Sequence, residues 1–307
     1  MKKLKLASID IGTNSMRLLI TDYENGFSKR KKYTNITRIG RGVDEFGYIS
    51  KEAIDRNIHA LKEFVEIAKH EDCEEIYVMG TSALRDSKNK EEFIERAKNE
   101  AGVNVDIISG NDEASLGFYG VTADLKEEGQ VLILDIGGGS TEFILGDKTG
   151  GIVFSKSENI GSVRLTEKFI KSDPVDEIEL ENMDAYIKAV TENTISILKT
   201  YHITKLIGIG GTATTISAMV QQLDVYDMEK VHQSLVMYEE VEAIFKDLKY
   251  KTLDEKRMIK GLQPQRADVI TAGVNILKNL MSYLEMKDIL ISEYDNLEGL
   301  VYTKNKN

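Results

Sequence analysis

The chain has 307 residues and a mass of 34.5 kDa, beyond the size at which a single hydrophobic core usually stops growing, so two domains are expected. Hydrophobic residues make up 41% and charged residues 30%, which excludes a disordered chain. The formal charge of −11 excludes a broad basic field for double-stranded nucleic acid or an anionic membrane, yet leaves a local anion site open.

Taken in chain order, the first element is an apolar strand, Leu6 to Ile9, followed by the turn Asp10-Ile-Gly-Thr-Asn-Ser15 and a second run over Met16–Ile20. Lys2, Lys3 and Lys5 before apolar residues imitate an export signal, but Asp10, Asn14 and Arg17 interrupt the stretch too early. The protein is therefore expected to be cytoplasmic. The basic run Lys29-Arg30-Lys31-Lys32 reads as a solvated hairpin tip. Ser50 caps a helix reaching about Lys69, with Ile54, Ile58, Leu61 and Val65 on one face. Ile76–Met79 is a short strand. Asn89 and Glu92 form a capping-box pair opening a helix that Gly102 ends. Val105–Ile108 is a strand followed by a helix near residues 112–120, and the Lys126–Gly129 turn is the natural domain break.

Beyond the break, Val131–Leu134 is a strand leading into Asp135-Ile-Gly-Gly-Gly-Ser140 and a further run over Thr141–Leu145. Asp173-Pro174 starts a long acidic helix reaching Thr200. Leu206 and Ile207 precede Gly208-Ile-Gly-Gly-Thr212 and a helical segment to Val220. The uncharged run 206–223 is too rich in Gly, Thr and Gln to span a membrane. The alternation of strands and helices predicts an α/β protein. One cysteine, Cys73, excludes an intramolecular disulfide framework and a cysteine-only zinc cage, and the four histidines lack metal-ligand spacing.

The six residues at 10–15 and at 135–140 are an internal repeat with an offset of 125. Each copy is strand, glycine turn, strand, unlike Walker or dinucleotide loops, whose glycines open a helix. Glycines let backbone N–H groups converge on an oxyanion, Ser15, Ser140 and Thr141 add hydroxyl donors, and Asp10 and Asp135 are hard oxygen ligands suited to Mg²⁺. Gly210, Gly211 and Thr212 offer a helix N-terminus as a further phosphate site. The bland alternative for either turn alone is a plain hairpin bend with a capping aspartate.

The stretches DIGTNSMRLLI (10–20), ITRIGRGVDEFGYIS (36–50), TSALRDSKN (81–89), ISGNDEASLGFYGV (108–121), DIGGGSTEF (135–143), ENIGSVRLTEKF (158–169), GIGGTATTISAM (208–219) and GLQPQRADVITAG (261–273) resemble the exopolyphosphatase / guanosine pentaphosphate phosphohydrolase family of the actin-like ATPase superfold. The resemblance implies two ribonuclease-H-like domains, residues 1–125 and 126–307, with mixed sheets, flanking helices and an interdomain cleft; the last helix is free to return to the first domain. It implies Mg²⁺- or Mn²⁺-dependent hydrolysis of the terminal phosphoanhydride of inorganic polyphosphate. Alternatives are removal of the 5′ phosphate of guanosine pentaphosphate, a non-hydrolytic nucleotide-binding regulator, and a sugar or acetate kinase.

Residue by residue, the resemblance makes Glu113 the general base and Glu142 a carboxylate orienting water or metal. Asp10, Asp135 and Glu142 become the metal positions, and Arg85 a cation for the substrate phosphate. Gly12, Thr13, Asn14 and Ser15, with Gly137, Gly138, Gly139, Ser140 and Thr141, become the phosphate loops. Glu113 could instead serve its helix N-terminus, and Arg85 could pair with Asp86. No nucleic-acid polymer and no membrane are expected as partners, and a homodimer is left open. Longer members continue into a further helical region not expected here. Where the family commonly has arginine in Ser-x-x-x-Leu-Arg-Glu-Gly, this chain has Leu297 (292–299).

Overall fold

A computed structural model describes residues 3–125 and 129–305. Contacts divide the chain into two compact units, one made of residues 1–125 with 294–307 and the other of 126–293. The expected break at Lys126–Gly129 falls largely outside the described residues.

The first unit opens with β1 (Leu4–Ile11), β2 (Met16–Tyr23) and β3 (Phe27–Asn35). It continues through α1 (Val43–Phe46), α2 (Lys51–His70), β4 (Glu75–Gly80), α3 (Ser82–Asp86), α4 (Lys90–Arg96), β5 (Asp106–Ile107) and α5 (Gly110–Asp124). The second unit contains β6 (Val131–Ile136), β7 (Thr141–Asp147), β8 (Gly151–Glu158), α6 (Ser162–Phe169), α7 (Glu177–Leu198), β9 (Lys205–Ile209) and α8 (Gly210–Val220). After these come α9 (Met228–Val231), β10 (Leu235–Met237), α10 (Tyr238–Lys249), α11 (Leu253–Arg257), α12 (Ile270–Tyr283) and β11 (Asp288–Ile291). The chain then re-enters the first unit as α13 (Asn296–Asn305).

Each sheet is mixed, and the two share one plan. In the first the order is β3-β2-β1-β4-β5, with β1–β2–β3 antiparallel and β4 and β5 parallel to β1. In the second, β8-β7-β6-β9-β11 repeats that order and pairing, with β10 added antiparallel at the edge. This is the ribonuclease-H-like arrangement, made twice.

Period-two alternation sorts the faces of β1. Ala7, Ile9 and Ile11 pack in the core with Ile54, Ile58, Leu61 and Val65 of α2. That helix begins where the sequence places it, with Ser50 Oγ accepting from the Ala53 N–H. Leu6 instead packs with Leu19, Leu297 and Val301, and Ser8 Oγ donates to Leu297 O, so the face that bears Asp10 is covered by α13. Helices α5 and α13 approach so closely that a Cβ on Gly299 would sit 1.9 Å from Leu116 O, and one on Gly120 2.0 Å from Asp295 O.

Three local expectations need correction. Asn89 does not cap α4; its side-chain amide pairs with the backbone of Ile49 in both directions. Helix α7 starts after the Asp173-Pro174 pair, under a capping box of Asp176 and Glu179, because Pro174 can be followed by a better cap. The Lys29–Lys32 run is not a solvated tip. It lies in β3, where alternation turns Arg30 and Lys32 inward and leaves Lys29 and Lys31 exposed. Arg30 pairs with Glu298 (2.8 Å) and covers the Tyr294 ring, while Lys32 bridges Asp295 (3.2 Å) and Glu298 (3.1 Å).

Burial pushes the Asp295 carboxyl up, but Arg17, Lys32 and the Leu297 N–H outweigh it and hold the group below its ordinary value of 3.8. A carboxylate with a depressed folded pKa stabilises fully above the unfolded value and loses that contribution as pH falls through the folded one. Asp295→Asn should therefore destabilise the protein by about 3 kcal/mol near neutrality. In urea unfolding at several pH values, the difference from wild type should shrink progressively below about pH 4.

Candidate active site

The first turn is closed by Gly12 N–H donating to Ser15 O at 3.0 Å. Its outer carbonyls are tied down by a later strap: Gly40 N–H donates to Thr13 O and Arg38 N–H to Asn14 O, both at 2.9 Å. Gly40 is glycine for contact, since a Cβ there would lie 2.2 Å from Thr13 Cγ2. Asn14 is buried with neither side-chain amide atom hydrogen-bonded. A wholly unsatisfied buried amide costs roughly 1–3 kcal/mol per group and points to a ligand that would engage it.

Asp10 faces Arg17 directly across β1–β2, and Arg17 Nη2 lies 2.5 Å from Asp10 Oδ2. Arg17 Nη1 reaches Asp295 Oδ2 at 2.7 Å, so one guanidinium answers two buried carboxylates. Asp10 Oδ1 is buried without a partner. Burial raises the Asp10 pKa above its ordinary value, with Arg17 acting the other way.

Glu113 lies in the first turn of α5, whose N-cap Ser109 and Asp112 form a capping box. The helix terminus is thus served by Asp112, and Glu113 is turned elsewhere. Arg85 Nη1, on α3, donates to Glu113 Oε2 and to Ile108 O, both at 3.1 Å; its approach to Asp86 is 3.8 Å. Ile11 and Gly80 lie side by side at the ends of β1 and β4, and Thr81 N–H donates to Ile11 O, so α3 begins next to the first turn. Two predicted site residues 28 positions apart meet here.

The second turn repeats the geometry of the first, with Gly137 N–H donating to Ser140 O at 3.0 Å. Asp135 faces Glu142 across β6–β7, the same register that pairs Asp10 with Arg17. In this copy the facing residue is a second buried carboxylate, and Ser157 Oγ donates to Glu142 Oε1 at 2.7 Å. Thr141 Oγ1 donates to Ile160 O at 2.6 Å.

Strand β9 ends beside Asp135, and α8 starts at Gly210, whose φ of 77° suits glycine. A Cβ on Gly210 would lie 2.3 Å from Asp135 Oδ1, so only glycine lets the carboxylate approach the start of α8 this closely. Gly211 carries the Arg266 guanidinium, since its Cβ would sit 2.4 Å from Nη1, and Arg266 Nε donates to Gln263. Thr212 is buried and packs against Gly273.

Two facing carboxylates, Asp135 and Glu142, are the donor chemistry that suits a hard divalent ion. Among the described residues no group of three or more His, Cys, Asp or Glu side chains gathers to hold a metal. One or two carboxylates completed by phosphate oxygens and water is the usual Mg²⁺ arrangement.

Within the first unit the structure brings together Asp10 with the 12–15 turn, and Arg85 with Glu113. Within the second it brings together Asp135, Glu142, the 137–141 turn and Gly210. Sequence reading missed the residues behind the turns: Arg38 and Gly40 for the first, Gly161 and Arg164 for the second. All lie inside motifs singled out above, each pair a glycine close to a basic residue.

A model of the Ppx/GppA phosphatase family matches residues 20–307. A bifunctional 3-dehydroquinate synthase/phosphatase from Fusobacterium nucleatum is 39% identical over 306 residues, covering 96% of this chain but 46% of that protein. Exopolyphosphatase 2 from Mycobacterium tuberculosis is 32% identical over 311 residues, covering 96% and 97%. The crystal structure of an exopolyphosphatase from Cytophaga hutchinsonii superimposes with a TM-score of 0.89 at 32% identity, over 98% of this chain and 97% of that one.

Gly210→Ala combines an unfavourable φ with a clash against Asp135. It should destabilise the protein by about 2–3 kcal/mol in urea unfolding. Gly26→Ala, whose Cβ meets nothing within 4 Å, should stay within about 0.5 kcal/mol of wild type.

Proposed function

We propose, for a chain that belongs to the Ppx/GppA phosphatase family and is a phosphoanhydride hydrolase, that the substrate is inorganic polyphosphate and that orthophosphate is released from its end. The observation that carries the phosphate reading is the repeated turn. Twice a carboxylate-bearing strand runs into a glycine bend closed by the same N–H bond, with its outer carbonyls tied away. Backbone N–H groups left on the other side suit a chain of phosphates, because they supply positive potential without a net positive surface.

In this reading Glu113 takes the proton of the attacking water, as a buried carboxylate held in one rotamer by Arg85. Arg85 divides its donors between Glu113 and the terminal phosphoryl group, so substrate binding and orientation of the base are linked. Asn14 supplies its unsatisfied amide to a phosphate oxygen. Asp135 and Glu142 of the second unit would hold Mg²⁺, and the ion when bound would neutralise charge developing on the phosphate oxygens. Ser157 fixes Glu142 for that role.

The test is release of orthophosphate by the purified protein from polyphosphate and, separately, from guanosine pentaphosphate, with and without Mg²⁺. Faster turnover of polyphosphate is expected; preference for guanosine pentaphosphate would replace the substrate and keep the residues. Glu113→Gln should cut kcat by about 10²–10⁴-fold with an unchanged unfolding midpoint. Arg85→Ala should lower kcat and raise KM together, because its guanidinium serves both the base and the phosphate.

A further inference from the structure

A peptide plane sets its C=O and the next N–H on opposite sides, so anchoring one fixes the direction of the other. Three successive carbonyls of the second turn are anchored by α6. Gly137 O accepts from Ser162 N–H (2.9 Å) and Ser162 Oγ (3.3 Å). Gly138 O accepts from the N–H groups of Val163 (2.9 Å) and Arg164 (3.0 Å). Gly139 O accepts from a side chain, Arg164 Nε, at 2.6 Å. The close approach needs Gly161, where a Cβ would be 2.4 Å from Gly138 O.

The N–H groups of Gly138, Gly139 and Ser140 are thereby turned to the opposite side. Gly138 and Gly139 cannot hold this direction by themselves, since glycine adopts either sign of φ at little cost. The last plane, Gly139–Ser140, is held by a side chain, the Arg164 guanidinium. That cation is partly buried; burial pulls its pKa below the ordinary arginine value, with Tyr186 and Glu167 acting the other way.

We propose that Arg164 is a positioning residue: it pins the Gly139–Ser140 peptide and so aims the Ser140 N–H at a substrate phosphate oxygen. The inference rests on the reading of the 137–141 turn as a phosphate loop. The first turn uses the same device with backbone donors alone, through Arg38 and Gly40. A donor aimed in advance costs no reorganisation when charge develops on the phosphoryl group, whereas a freely turning glycine peptide would have to be ordered in each cycle.

The experiment follows amide resonances of full-length ¹⁵N-labelled protein titrated with inorganic phosphate, for wild type, Arg164→Met and Arg164→Lys. In wild type the Gly138, Gly139 and Ser140 resonances should shift together. In Arg164→Met the Ser140 shift should be largely lost, the apparent phosphate Kd should rise by about ten- to a hundredfold, and kcat should fall more than KM rises. Arg164→Lys keeps the charge but not the in-chain donor, and should behave like the Met variant; it also carries the test should Arg164→Met fail to fold. Unchanged Ser140 shifts and Kd in a folded variant would overturn the inference. So would full recovery in Arg164→Lys, which would mark a direct ionic contact. Wild-type resonances that ignore phosphate would remove the phosphate reading of the turn, and the inference with it.

Discussion

A carboxylate at the end of a fully buried strand is tolerated only if its charge is answered, because leaving an ion uncompensated in the interior costs several kcal/mol. The two halves of the repeat meet this constraint differently. In the first, Arg17 stands opposite Asp10 and neutralises it together with Asp295. In the second, the corresponding position holds Glu142, and two acids face each other. One backbone plan therefore sets a guanidinium opposite the strand-end carboxylate of the first turn and a second carboxylate opposite that of the second.

The strands, the repeat and the helix under Ser50 were legible because they depend on short-range patterns: alternation, glycine and capping. The pairing of Arg85 with Glu113 was not, since both had local partners on offer. Asp112 takes the helix terminus, and Arg85 keeps a longer contact with Asp86 while its closer partner is Glu113, choices that depend on tertiary placement. The basic run at 29–32 misled for a related reason. Sequence alternation within β3 could suggest that two of its four cations point inward, but the acids that receive them lie more than 260 residues away.

Leu297, where the resemblance implies an arginine, also makes sense only in three dimensions. It is fully buried with Leu6, Leu19, Tyr23 and Val301, under the face of β1 that carries Ser8. The acids on either side of it, Asp295 and Glu298, draw their cations from β2 and β3. Cationic partners have been placed on the sheet while an apolar residue seals the helix onto it. The family position is thus filled by packing, and the electrostatics are carried by neighbours.

The discontinuity of the first unit has a temporal side. The second unit is contiguous in sequence, so every one of its partners has been synthesised by residue 293, whereas Arg17, Arg30 and Lys32 must wait for Asp295 and Glu298. On the ribosome, the second unit is able to complete its sheet before the first can neutralise its own. During that interval the face of β1 and β2 that carries Leu6 and Leu19 lacks its apolar cover from Leu297 and Val301. The segment 294–305 then closes the first unit in the manner of an intramolecular ligand, bringing the acids and the apolar residues that its sheet needs.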